Sequence, residues 1–185
     1  MRPQLACLLL LSSCVGCQQM MADRDGRAVG DDLGFFDVSA ELAENTCGDG
    51  AMGAEPEWDF TVQLRKDPPY LYWVNGAELI QGRLEPDGSF DVVSEGLHDL
   101  TGEPGITQEC MIVRTDRAAG LLEEHSDEGS DAVSSFEGSL SYSYVPTVES
   151  DCAALASLEG GFEQLPCAIR YHMTGTPSSE GNAQP

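Results

Sequence analysis

The stretch from Ser135 to Pro146, "SFEGSLSYSYVP", limits the fold more than any other part of the chain. Its residues alternate strictly: Phe136, Gly138, Leu140, Tyr142 and Tyr144 fall on one face, Glu137, Ser139, Ser141 and Ser143 on the other. A two-residue period over this length belongs to a strand and not to a helix. One face must then be packed and the other wetted, as in an antiparallel sheet with a solvated side. The pattern recurs in "WDFTVQLRKD", where Trp58, Phe60, Val62 and Leu64 oppose Asp59, Thr61, Gln63 and Arg65 before Pro68-Pro69 ends the run. "YLYWVNGAELIQGRL" carries Asn75-Gly76 between two apolar runs, a two-residue hairpin signal. That turn places Leu71 across from Ile80, with Trp73 on their face. "LEPDGSFDVV" turns at Pro86-Asp87-Gly88 and returns Phe90 and Val92 to the face of Leu84.

The remaining segments are consistent with this. Phe35 to Asn45 fits a strand through Phe36, Val38, Ala40 and Leu42, and also a helix face through Phe35, Val38 and Leu42; the strand-rich setting selects the strand. "ECMIVRT" and "RAAGLLEE" read as two strands or one long bent one. "CAIRYHMTGT" is a last strand, with Ile169, Tyr171 and Met173 inward and Arg170 and His172 outward. Glu95 to Gln108 reads as a Gly-rich loop and Glu123 to Asp131 as an acidic one. "SDCAALASLEGG" reads as a short helix capped by Ser150 and ended by Gly160-Gly161. Eight or nine antiparallel strands and one short helix give a mainly β fold. The expected architecture is an antiparallel sandwich or a lipocalin-like, partly closed barrel, stapled by disulfides.

The N-terminus reads as an address. One arginine precedes Leu5 to Leu11, an apolar run of seven. That suits a signal-peptide core and falls far short of the roughly 20 residues needed to span a bilayer. "LSSC" then "CVGC" follow, and this arrangement resembles the precursor of a bacterial lipoprotein. There, Leu, two small residues and Cys mark the cleavage site, and the Cys carries the lipid. Leu11-Ser12-Ser13-Cys14 matches that motif; Cys17 gives a longer signal and leaves an even number of other cysteines. The motif selects Cys14, with Cys17 as the alternative. A zinc pair is disfavoured, since no second close cysteine pair supplies the remaining ligands. The chain thus divides into a signal peptide 1–13 (alternatively 1–16), a tether 14–34, a β-domain 35–176 and a disordered polar tail 177–185.

Export places Cys47, Cys110, Cys152 and Cys167 in an oxidising compartment, so two disulfides are expected. Three pairings are possible. Cys152–Cys167, closing a short local loop, is favoured together with Cys47–Cys110. The pattern "NTCG…EWDFTVQL…YLYWVNGAELIQGRL…FEGSLSYSYVP…GGFEQLPCAIRYHMTGT" is similar to a group of secreted myxobacterial-type lipoproteins. The resemblance covers most of Phe35 to Thr176. It implies an exported two-disulfide β-domain and no particular activity.

Charge narrows the partners. With 9 basic and 32 acidic residues the formal net charge is −23, which repels nucleic-acid phosphate. No catalytic or metal residue and no cofactor is assigned. His98, His125 and His172 are dispersed; His125 with Asp127, Glu128 or Asp131 is the strongest metal-like grouping and falls short of a ligand pattern. There is no G-x-S-x-G, and "GDGAMG" lacks the Lys and Ser/Thr of a phosphate loop. Tyr70 and Tyr72, on the face opposite Trp73, form the candidate binding surface, while Tyr142 and Tyr144 are read as core. The expected protein is a non-enzymatic, lipid-anchored envelope component that binds a small ligand or an envelope protein. No Asp follows either candidate Cys, which favours the outer membrane. A secreted hydrolase, a hydrolase inhibitor and a structural surface-coat component are the alternatives.

Overall fold

Alternation of β-branched and aromatic residues with small polar ones produces eight strands in the computed structural model, which describes residues 29–179 except 52, 104, 125–132, 159 and 160. They are β1 (Asp31–Asn45), β2 (Glu57–Asp67), β3 (Tyr70–Asn75), β4 (Glu78–Leu84), β5 (Ser89–Asp99), β6 (Met111–Glu124), β7 (Val133–Pro146) and β8 (Cys167–Pro177). Each pairs antiparallel with the next, and β8 pairs with β1, so the sheet closes into a barrel. A closed barrel has no free sheet edge along its full-length seams, and eight strands leave an interior just wide enough for side chains or one small ligand.

The mainly β, disulfide-stapled fold is as expected, and of the two architectures the barrel forms, with its seam fully closed. Several other expectations shift. β1 begins at Asp31, inside the stretch read as tether, and β8 runs to Pro177, with Ser178 buried beyond it. β5 continues through Glu95 to Asp99, where a loop was expected, because pairing with β6 holds that segment extended. β6 is one strand and not two. Ala153–Ser157 forms a 3-10 turn in place of the short helix; Ser150 does not cap it, and its hydroxyl instead accepts from Met111 N–H at 2.9 Å. The β3–β4 register differs by two residues: Trp73, not Leu71, lies opposite Ile80. The loop is Gly76-Ala77, with Gly76 at φ 60° and no positive φ at any described non-glycine residue. A type I′ turn needs positive φ at both positions, whereas II′ needs it only at the first, where Gly76 sits. A two-residue slip keeps every side chain on its face, so the inward set survives the change.

The strand ends sort into two poles. One holds the start of β1, the β2–β3 and β4–β5 turns, and the end of β8. Here the interior is filled by Phe36, Trp73, Phe90 and Phe136, all buried. Phe136 is the hub, with ring centroids 5.5 Å from Phe36 and 5.9 Å from both Trp73 and Phe90. Tilted and edge-on rings at these distances add to simple burial. Gly175 makes room for the hub: a Cβ there would lie 2.2 Å from ring carbons of Phe136. Outside this pole, Arg65 donates to the backbone oxygens of Val29 and Gly30, both at 2.6 Å, holding the incoming chain over β2 and β3.

The other pole carries long connections: 46–56 between β1 and β2, 100–110 between β5 and β6, and 147–166 between β7 and β8. Both disulfides are here, and their pairing corrects the expectation. Cys47 bonds Cys167 and Cys110 bonds Cys152. Barrel closure sets Asn45 opposite Ile169, which carries Cys47 at the end of β1 alongside Cys167 at the start of β8. Local loop entropy favoured Cys152–Cys167, but a disulfide forms only where Cα atoms come within reach, and here they stand 5.0 and 4.9 Å apart. Both bonds therefore tie the 147–166 connection and its strand junction to the other two long loops.

Candidate functional site

At the loop-bearing pole the inner face holds polar and small residues where the other pole holds rings. On β6 the inward positions run Ile112, Arg114, Asp116, Ala118, with Ile112 and Ala118 buried. Opposite Arg114 and Asp116, β5 offers only Gly96 and Ser94; on the other side β7 offers Tyr144 and Tyr142. The small residues leave space in front of the charged pair. The result is a cavity of ≈ 640 Å³, within the range of small-molecule sites.

Its walls come from four directions. Strands supply Trp58, Ile112, Arg114, Tyr142, Tyr144 and Tyr171. The β1–β2 connection adds Gly53 and Glu55, the β5–β6 connection Leu100, Glu103 and Ile106, and the β7–β8 connection Leu155, Leu158 and Phe162. His98 completes the rim from the end of β5. The two disulfides thus brace all three loops that roof the cavity.

The β3–β4 hairpin is short, and it lowers one wall. β2 pairs with β3 only from Gln63 onward, and β4 meets β5 only at Arg83–Asp91 and Leu84–Phe90. The first half of β2 and the second half of β5 therefore lack a ladder partner on that side. Trp58 lies on this notch and is 38% exposed although it points inward. Its ring stands 6.0 Å from Tyr142 and 6.4 Å from Tyr171. Tyr144 packs on Phe162 at 4.5 Å.

Arg114 is held in two ways. Its Nε and Nη2 donate to the two carboxylate oxygens of Asp116 at 2.6 and 2.7 Å. Its guanidinium carbon lies 5.2 Å from the Tyr142 ring centre and 6.0 Å from that of Tyr144. A two-point Arg–carboxylate bond fixes geometry, and the ring faces add cation–π attraction. The hydrogen bonds that Arg114 donates to Asp116 raise its pKa above its ordinary value, against the opposing effect of burial.

The phenols stay protonated. Burial pushes both Tyr142 and Tyr144 above the usual tyrosine value, with Asp116 adding to the rise and Arg114 opposing it. Tyr171 is raised by burial first and then by the Glu55 carboxylate. The Tyr171 hydroxyl donates to the backbone oxygen of Gly53. Those of Tyr142 and Tyr144 have no hydrogen-bond partner among the described residues. No fully buried side-chain polar atom there lacks a partner, so these two hydroxyls open onto the cavity. They are neutral groups able to donate or accept.

The candidate surface drawn from sequence lies elsewhere. Tyr70 and Tyr72 are on the outer face of β3, at the ring-filled pole, away from the cavity. Tyr70 is exposed, and Tyr72, 6% exposed, is covered near Gly30. Tyr142 and Tyr144 are buried as expected and also line the cavity, which residue burial alone does not reveal. His98 is on the rim and His172 on the outer face of β8; His125 with Asp127, Glu128 and Asp131 lies outside the described residues, as do Cys14 and Cys17. No group of three metal-ligating side chains is found among the described residues. Trp58, Arg114 and Phe162 were missed. One signal was available: "IVRTDRA" sets Arg114 and Asp116 on the same face as Ile112 and Ala118, and charges two residues apart on an apolar strand face mark an interior that is not fully packed. Comparison of the chain with protein-family models, with curated proteins and with solved structures gives no match to any of them.

Proposed function

We propose that this protein is an exported, lipid-anchored envelope component whose barrel holds a small, largely apolar ligand without chemically changing it. The cavity of ≈ 640 Å³, walled by aromatic and aliphatic side chains, carries this reading. Sites of this kind bury most of a small ligand and orient it with a few fixed polar groups; Arg114, Tyr142 and Tyr144 supply such groups here. Anchoring rests on the apolar run and on Cys14, or alternatively Cys17, and on the resemblance to myxobacterial-type lipoproteins. The outer membrane is the favoured location.

Two measurements test the reading. Replacing both Cys14 and Cys17 by Ala releases the exported protein from membranes; retention in the membrane fraction counts against the anchor. The released, disulfide-bonded full chain enhances the fluorescence of a neutral apolar dye, N-phenyl-1-naphthylamine. Leu158→Trp, which fills the cavity from its roof, removes that enhancement while the β circular-dichroism signal is kept. Undiminished binding in Leu158→Trp would place the dye elsewhere.

A partner-binding reading is favoured by a separate observation. Leu97, Val113 and Val145 lie side by side on the outer face of β5, β6 and β7, with Leu97 59% and Val145 45% exposed. Leu97→Glu would then abolish co-purification of an envelope partner without altering dye binding.

A further inference from the structure

The chemistry of the cavity narrows what it accepts. Its one guanidinium is already matched: Arg114 has Asp116 on two of its donors and Tyr142 and Tyr144 on its faces. A ligand anion would have to displace Asp116 or share a cation that is already neutralised. Two further carboxylates, Glu55 and Glu103, line the same cavity from different loops, and His98 stands on the rim. The whole chain adds a net charge of −23, and a low-dielectric cleft focuses such a field. A negative ligand is therefore opposed at the mouth and finds no free positive partner inside.

The polar donors left for a neutral ligand oxygen are the Tyr142 and Tyr144 hydroxyls and the Arg114 N–H groups that Asp116 does not take. Both hydroxyls open onto the cavity without a partner among the described residues. They sit next to each other on the inner face of β7, two residues apart. Around them are Trp58, Tyr171 and Phe162, then Leu100, Ile106, Leu155 and Leu158. This is a largely apolar chamber with two neutral phenols on one wall.

Building on the ligand-binding reading, we infer that the cavity selects uncharged lipophilic molecules bearing a hydrogen-bonding oxygen, such as a ketone, ester or amide, and discriminates against lipophilic anions, including free long-chain carboxylic acids. The oxygen docks against Tyr142 and Tyr144, the apolar body lies against Trp58 and the roof loops, and Glu55 and Glu103 screen out anions at the mouth.

The test uses the full chain carrying Cys14→Ala and Cys17→Ala, exported so that both disulfides form, and three fluorescent probes. N-phenyl-1-naphthylamine is neutral, 1-anilinonaphthalene-8-sulfonate is its anionic relative, and Nile red is neutral with a carbonyl acceptor. The expected order has the sulfonate binding about tenfold or more weaker than its neutral relative, as one or two nearby like charges impose. Glu55→Gln with Glu103→Gln narrows that gap several-fold, read as the ratio of the two dyes' affinities in the variant against the parent; both side chains are exposed, so the fold does not depend on them. Tyr142→Phe with Tyr144→Phe weakens Nile red several-fold more than it weakens N-phenyl-1-naphthylamine. If the sulfonate binds as tightly as the neutral dye, or if the Gln pair leaves the gap unchanged, the selectivity is wrong while ligand binding stands. Equal loss of both neutral dyes in the Phe pair would overturn the docking of the oxygen. If no probe binds, the ligand-binding reading itself falls.

Discussion

The two poles of the barrel are built from the same eight strands and differ in what their inner faces carry. At one, Phe36, Trp73, Phe90 and Phe136 meet ring to ring and fill the interior. At the other, Gly96 and Ser94 face Arg114 and Asp116, and the space between is left open under three long loops. The filled pole gains its stability from burial. The open pole gives up that burial and is held by two disulfides instead. The aromatic cluster and the cavity thus occupy opposite ends of one axis.

The largest expected effect is at the open pole's covalent braces. Replacing Cys47 and Cys167 by Ala frees a closed loop with a sequence separation of 120, against 42 for Cys110–Cys152. The chain-entropy relation gives about 5 and about 4 kcal/mol respectively, read as lowered midpoints in urea unfolding. Equal losses from the two pairs would point away from loop entropy. At the filled pole, Phe136→Ala removes the hub of four rings and costs about 3–5 kcal/mol, with dye binding at the far end retained. Gly175→Ala forces a Cβ against that ring and costs about 1–3 kcal/mol; coupling between the two substitutions in a double-mutant cycle would confirm the shared contact.

Alkaline pH tests the buried phenols, Tyr142, Tyr144 and Tyr171 at the cavity and Tyr72 on the outer face of the filled pole, each raised first by burial. Their folded pKa values lie above the unfolded one, so the unfolded chain releases its phenolic protons first. The stability they contribute is intact below about pH 10 and is lost as pH rises beyond it. Phenolate absorbance should show the cavity tyrosines titrating together with unfolding. The smallest effect is Tyr142→Phe on stability, below about 1 kcal/mol, because its hydroxyl makes no hydrogen bond to lose among the described residues. A larger loss would mean that the hydroxyl is structurally engaged.

What could be read from sequence follows the range of the interactions involved. Alternation is local, and it assigned Phe136 through Tyr144, Trp58 through Leu64, and Ile169 through Met173 to their correct faces. Closure is not local. Pairing of β1 with β8 joins residues more than a hundred apart, and no neighbouring residue encodes it; the disulfide partners followed from that seam and were misassigned without it. β5 beyond Glu95 was read as loop because Gly96 and His98 carry little strand preference, yet a full ladder with β6 overrides propensity. The cavity was illegible for a related reason. Tyr142 and Tyr144 look like core by pattern, and only the small residues facing Arg114 and Asp116 from another strand turn that core into a chamber.

The chain enters the barrel at the filled pole, where Arg65 grips Val29 and Gly30, and β1 then runs the full height to the loops. Fifteen tilted residues carry it about 35 Å. The cavity therefore opens at the end of the barrel opposite the one where residue 29 joins it, so whatever is attached upstream of Val29 and whatever enters the interior approach the fold from opposite ends.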